Sequence, residues 1–163
     1  MSSKTVIVTG AAGNLGRAVV TKFIDNDFKV IATVRHKNTA ATSTANFEEV
    51  ALDLTDEESC ETFIDRTIVE NNSIDVAVLT AGGFTMGNVA ATKASDIAKQ
   101  YKLNFETAYN IARPVFAQML KQNSGRIFLI GSRAGLDVPH AKGVTSYAFS
   151  KSLIFRLAEI MNA

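Results

Sequence analysis

Residues 4–9 (Lys-Thr-Val-Ile-Val-Thr) have the length and apolar content of a buried strand, and they run without a spacer into Gly10-Ala11-Ala12-Gly13-Asn14-Leu15-Gly16. Leu15, Val19, Phe23 and Ile24 then recur at helical spacing. A strand passing through a glycine-rich turn straight onto a helix opens a β-α unit of a parallel sheet. Glycines at such a turn admit positive φ and let the backbone approach a phosphate, while the first N–H groups of the helix and its dipole attract the anion. A tight turn without a ligand would use glycine too. Three of the chain's ten glycines within seven residues favour the phosphate site. The spacing is not the common G-x-G-x-x-G, but the position in the β-α unit is the same.

The rest of the chain repeats the alternation. Strand-length apolar runs are expected at 29–34, 49–54, 75–80 and 126–131, separated by stretches of helical period, so the fold class is α/β with a doubly wound parallel sheet, strand order 3-2-1-4-5. Residues 36–46, rich in Thr, Ala, Asn and Ser, read as a loop or a weak short helix. Thr55, followed by three acids, marks a helix start, and Asn71-Asn72-Ser73 ends that helix. One long helix is expected over 93–122, a polar loop after the fifth strand, and a last helix over 146–162. In the long helix Ile97, Tyr101, Asn104, Ala108, Ile111 and Val115 form one stripe facing the sheet. Asn104 carries the only amide in it, as a packing anchor or as part of a site. Pro114 would free the carbonyl of Asn110, kinking the helix or distorting its surface. No repeat or linker divides the chain, so residues 1–163 are expected to be one domain.

Composition removes several function classes. Hydrophobic residues make up 47% and charged residues 20%, with 17 basic against 16 acidic side chains, which is not disordered chemistry. A formal charge of +1 gives no basic excess for nucleic acid. Cys60 has no partner for an internal disulfide, and with His36 and His140 far apart it makes no metal-ligand pattern. The opening residues are too short and polar for a signal peptide, and no apolar run approaches the roughly 18 residues of a membrane span. A soluble cytoplasmic protein is expected.

Chemistry concentrates where parallel strands end. After Val34 come Arg35, His36 and Lys37, with no carboxylate to take a ribose 2′-hydroxyl and three potential cations for a 2′-phosphate. NADP(H) is therefore preferred, with NAD(H) as the alternative; simple solvated charges would look the same. Asp53, after the third strand, could accept from an adenine amino group or cap the next helix. The small residues of Thr80-Ala81-Gly82-Gly83 would let a ribose or nicotinamide lie against backbone. Tyr147 and Lys151, at i and i+4, share one helix face, where a cation favours the phenolate of a side chain that ordinarily titrates at about pH 10. Ser132 stands 15 residues before Tyr147 at the end of the fifth strand.

Thr9-Gly10…Gly13…Gly16, Asp53, Ala81-Gly82, Asn104, Ser132 and Tyr147-x-x-x-Lys151 occur in the order and approximate spacing of the short-chain dehydrogenase/reductase family, which the whole chain resembles. The resemblance implies carbonyl/alcohol interconversion with a nicotinamide dinucleotide. Tyr147 would be the general acid, Lys151 would lower its pKa and hold the nicotinamide ribose, Ser132 would orient the carbonyl, and Asn104 would bind a water completing a relay to Lys151. Gly10, Ala12, Gly13, Asn14, Leu15, Gly16, Arg35, Asp53, Leu54, Ala81, Gly82 and Gly83, with Tyr147 and Lys151, would contact the cofactor. The resemblance also implies a homodimer or homotetramer through the helices at 93–122 and 146–162. Two differences stand out: the glycine spacing is Gly-x-x-Gly-x-x-Gly, and Leu79-Thr80-Ala81-Gly82 replaces the family's usual Asn-Asn-Ala-Gly. Members usually run roughly half as long again, so a C-terminally incomplete chain is expected. The alternative function is a catalytically inactive dinucleotide-binding or regulatory protein of the same fold.

Overall fold

The structure is a computed structural model and describes residues 3–36 and 44–163. Strands β1 (Thr5–Thr9), β2 (Lys29–Val34), β3 (Phe47–Ala51), β4 (Val76–Leu79) and β5 (Arg126–Leu129) form one sheet in the order β3-β2-β1-β4-β5. Pairing is parallel from β1 to β2, with Val6 opposite Val30, from β1 to β4, with Val6 opposite Val76, and from β2 to β3, with Val30 opposite Phe47. This is the doubly wound α/β sheet that the alternating pattern predicts. Every residue of β1 is buried, as a central parallel strand covered on both faces must be. On one face Val6, Val8, Val30 and Val78 pack with Val19, Val20 and Phe23 of α1 (Asn14–Ile24). Ile7 and Ile31, paired across the ladder, alternate to the other face and are equally buried.

Four expectations need correction. The third strand lies at Phe47–Ala51, not 49–54, because its ladder stops where β2 stops: Val34 pairs with Ala51, and beyond it only the Leu52 N–H reaches the Val34 carbonyl, at 2.9 Å. Helix α2 (Glu57–Asn71) is capped by Asp56 rather than Thr55, whose N–H and hydroxyl both donate to Asp53 Oδ1, at 2.9 and 2.8 Å. The run expected as one regular helix is α3 (Ala94–Tyr101), a π-helical turn at Lys102–Glu106, and α4 (Thr107–Gln122). The wide turn rotates the buried stripe. Tyr101 is 41% exposed and Gln100 is buried in its place, whereas Asn104, Ala108, Ile111 and Val115 are buried as read. The irregularity is thus at 102–106, and α4 continues through Pro114. Finally, the polar loop after β5 contains α5 (Arg133–Leu136) and α6 (Val138–Ala141), with Ser132 and Asp137 accepting from the N–H groups of Ala134 and His140 as N-caps. The last helix, α7, spans Thr145–Met161.

The chain sorts into two compact units, residues 1–81 with 110–128 and residues 82–109 with 129–163. The first holds β1 to β4, α1 and α2; in the second, α7 packs against α3, the π turn and α5. Of the expected cations after β2, Lys37 lies outside the described residues. Among the described residues, no helix is long and apolar enough to cross a membrane and no group of three His, Cys, Asp or Glu side chains could hold a metal.

Candidate active site

In the first unit the glycine turn folds closely on its surroundings. Gly10 has φ +64°, and a Cβ there would lie 2.8 Å from Ala81 Cα. At Gly16 a Cβ would come within 2.3 Å of the Gly10 carbonyl oxygen. The exit of β4 is tied to β1 by the Thr80 hydroxyl, donating to the Thr9 carbonyl at 2.6 Å, and by the Ala81 N–H, donating to Thr9 Oγ1 at 3.3 Å. Gly13 differs: its φ is −75°, it is the N-cap of α1, and its own Cβ position meets only the Gly10 oxygen, at 3.3 Å. Ala12, Gly13, Asn14 and Leu15 are exposed, no side chain caps α1, and its first turn holds no acid. That arrangement fits an anionic diphosphate.

Beside the turn, Ala11, Ala12, Arg17, Val20, Thr21, Val34, His36, Phe47 and Glu49 line a cleft of about 440 Å³. Arg35 is exposed next to His36 in the chain. Asp53 Oδ1 is engaged by Thr55, and the Leu54 carbonyl accepts from Asn110 Nδ2 at 3.0 Å, so the turn after β3 is held from both sides.

In the second unit the expected proton-transfer residues lie in the π turn (Asn104), at the N-cap of α5 (Ser132) and on α7 (Tyr147 and Lys151). Asn104 is 1% exposed; Oδ1 accepts from the Gly83 N–H at 2.8 Å, and Nδ2 donates to Gln100 Oε1 at 2.8 Å and Ser150 Oγ at 3.0 Å. Gly82 lies so close that a Cβ would be 2.6 Å from Asn104 Oδ1 and 3.8 Å from Lys151 Nζ. Lys151 is 6% exposed and its Nζ donates to the Ile130 carbonyl at 2.7 Å; burial holds its pKa below the ordinary lysine range. Tyr147, one turn before it, is half-buried, with its ring edge-on to Phe84 at a centroid distance of 4.9 Å. Ser132 is partly exposed, and its hydroxyl accepts from the Ala134 N–H at 3.3 Å.

Residues 4–163 match the family model for short chain dehydrogenases. The chain belongs to that family. It is 29% identical over 157 residues to the cyclic-di-GMP-binding biofilm dispersal mediator protein of Escherichia coli K12, covering 96% of this chain and 65% of that protein. It is likewise 29% identical over 154 residues to the 3-oxoacyl-(acyl-carrier-protein) reductase FabG of Salmonella typhimurium, covering 91% of this chain and 62% of that one. The solved structure of ElxO with NADP bound superimposes with a TM-score of 0.87 at 26% identity, covering 95% of this chain and 65% of ElxO. The chain therefore spans a little under two thirds of the length of these relatives.

Beside the family's motif residues stand three neighbours that the sequence did not mark, Gln100, Ser150 and Arg17. Gln100 and Ser150 complete the hydrogen bonds of Asn104, yet Gln100 belongs to the buried stripe only because the π turn rotates it, a shift that 3.6-residue periodicity does not register. Ser150 carried a signal, since it directly precedes Lys151 and lies four residues from Ser146 on one helix face. Arg17 stands at the end of the glycine motif, and only the cleft associates it with His36. Phe84 belongs to the stretch 83–92 that the sequence offers as pocket lining, but nothing in its spacing links it to Tyr147. Cys60 is buried, and burial pushes its thiol up to about 12, which removes it as a nucleophile.

Proposed function

We propose that the protein is an NADP(H)-dependent oxidoreductase that interconverts a carbonyl and an alcohol. The observation that carries this is the Tyr147/Lys151 pair on α7, with Lys151 buried and its ammonium fixed on the Ile130 carbonyl at 2.7 Å. Bound, the dinucleotide supplies the hydride to the carbonyl carbon during reduction and takes it back during oxidation. Tyr147 donates its phenolic proton to the carbonyl oxygen as the alcohol forms, and the ammonium of Lys151 stabilises the phenolate that remains. Ser132 donates a hydrogen bond to the same oxygen and orients it, and the relay that reprotonates Tyr147 runs by Lys151 and a water at Asn104.

For the cofactor, the exposed backbone of 12–15 at the uncapped start of α1 is suited to the diphosphate, with Gly10 and Gly16 shaping the turn. Gly82 and Gly83 would meet the ribose and nicotinamide, and Asp53 and Leu54 the adenine. Arg35, with Arg17 of the neighbouring cleft, supports NADP(H) over NAD(H) by offering cations to a 2′-phosphate, and His36 lines the same cleft. ElxO, solved with NADP, favours the same choice. Assembly as a homodimer or homotetramer through residues 93–122 and 146–162 agrees with the exposure of Tyr101, Tyr109 and Phe149.

A second reading, a regulatory dinucleotide-binding protein without turnover, is favoured by the biofilm dispersal mediator, a relative named for cyclic-di-GMP binding. The two separate on one assay. The oxidoreductase oxidises NADPH with a panel of ketones, and Tyr147→Phe abolishes that turnover while NADPH binding persists. Binding of a dinucleotide with no turnover of any carbonyl would establish the regulatory reading instead.

A further inference from the structure

We infer that Phe84 determines specificity, selecting substrates with an apolar, ring-sized substituent on the carbonyl carbon. This rests on Tyr147 as the proton donor. A carbonyl oxygen that takes the Tyr147 proton must reach the phenol hydroxyl, so its substituents lie against whatever flanks that ring. Phe84 is such a flank: its ring meets Tyr147 edge-on, at 4.9 Å between centroids and 76° between planes, and 61% of the residue stays exposed. One edge contact leaves most of the aromatic surface free.

The exposed ring is not on a loose tip. Immediately before it, the Gly83 N–H is held by Asn104 Oδ1 at 2.8 Å. Three residues after it, the Gly87 N–H donates to the Gly143 carbonyl and the Gly87 carbonyl accepts from the Thr145 N–H, both at 2.8 Å. Thr145 begins α7, the helix that carries Tyr147, so ring and phenol are referred to the same element. Between the two anchors the side chains are Phe84, Thr85 and Met86, and residues 82–92 contain no charged group. Met86 is 78% exposed and adds an adaptable apolar surface. A charged or heavily hydroxylated substituent placed against the Phe84 ring would shed water and find no charged partner among residues 82–92, whereas an aryl or branched alkyl group would bury surface against the ring.

The test compares acetophenone with dihydroxyacetone as substrates of the full chain with NADPH. The wild type should prefer acetophenone in kcat/KM. Phe84→Ala should lower kcat/KM for acetophenone on the order of tenfold while changing dihydroxyacetone by less than about threefold, and Phe84→Leu should restore most of the loss. If Phe84→Ala lowers the melting temperature by more than a few degrees, Phe84→Leu against Phe84→Thr gives the same comparison. Equal losses on both ketones, or a wild-type preference for dihydroxyacetone, would overturn the assignment of Phe84 and leave the oxidoreductase standing. Absence of wild-type turnover with every carbonyl tried would overturn the oxidoreductase itself, and the assignment with it.

Discussion

Alanine substitution at each glycine of the first turn separates what packing requires from what a ligand requires. At Gly16 the new methyl would sit 2.3 Å from the Gly10 oxygen and 2.8 Å from Ala11 Cα, both backbone atoms that cannot swing aside. Overpacking of that kind costs up to about 3 kcal/mol, and the better helix propensity of alanine returns about 1 kcal/mol, leaving about 2 kcal/mol of destabilisation. Gly10→Ala adds roughly 1 kcal/mol of left-handed backbone strain to a 2.8 Å approach to Ala81 Cα, so it should be at least as damaging. Gly13→Ala meets no such obstacle, and a weaker N-cap is offset by the lower entropy of the unfolded chain, for a net change near zero. For a chain of this size about 2 kcal/mol corresponds to a fall of about 4–8 °C in Tm. Thermal unfolding of the three variants reads the ranking directly. Repeating it with NADPH at about 100 times its Kd should add about 2.7 kcal/mol to the wild type, and much less to Gly13→Ala if a phosphate approaches that exposed backbone. A Gly16→Ala protein melting within about a degree of wild type would refute the packing reasoning. A Gly13→Ala protein with the full NADPH shift would refute the phosphate site.

Two further substitutions probe the second unit. Asn104→Ala strands the buried Gln100 Oε1 and the part-buried Gly83 N–H, and urea unfolding should report a loss of about 2–3 kcal/mol; a loss under about 1 kcal/mol would mean the network carries little of the fold. Lys151→Met tests the buried ammonium through pH. The unfolded chain keeps the Lys151 proton up to about 10.5, whereas the folded chain releases it earlier, so in that window the unfolded state binds more protons and wild-type stability rises with pH. Urea midpoints of the two proteins from about pH 7 to pH 10.5 should therefore show the wild type gaining on Lys151→Met; a wild type that loses ground would contradict burial as the cause of the shift.

Legibility followed the range of the interactions involved. β1, β2, the C-terminal end of α2 and the extent of α7 were readable because their signals are local: apolar runs, an asparagine pair, helical period. β3 was displaced because its limits belong to β2, whose ladder ends at Val34 and Ala51, and nothing in residues 47–54 encodes that partner. Tyr101 was misplaced because the π turn changes the period at Lys102–Glu106, next to the residue that most needs partners, Asn104. The motif residues were legible as types at spacings, but their supports were not. Ser150, Ile130 and Phe84 act on Asn104, Lys151 and Tyr147 through contacts that join distant segments of the chain, and Gln100 reaches Asn104 along a helical run whose period the π turn changes.

Asn104 illustrates what such supports do to a proposed role. An amide offers two donors and two acceptor positions. Both donors are spent, on Gln100 and Ser150, and one acceptor position is spent on Gly83. A relay water meeting this side chain is left one place, the remaining lone pair of Oδ1, where it must donate rather than accept. The same oxygen is where a Cβ at position 82 would lie, 2.6 Å away and 3.8 Å from the Lys151 ammonium. Gly82 thus keeps unobstructed the space between the one acceptor Asn104 still offers and the one cation of the proposed relay. The network fixes the amide so that its direction is not negotiable: turning it over would place N–H against the Gly83 N–H and an oxygen against Gln100 Oε1. A proton path that uses this residue therefore has a defined polarity at Asn104, and the residues that set it are ones the family motif does not contain.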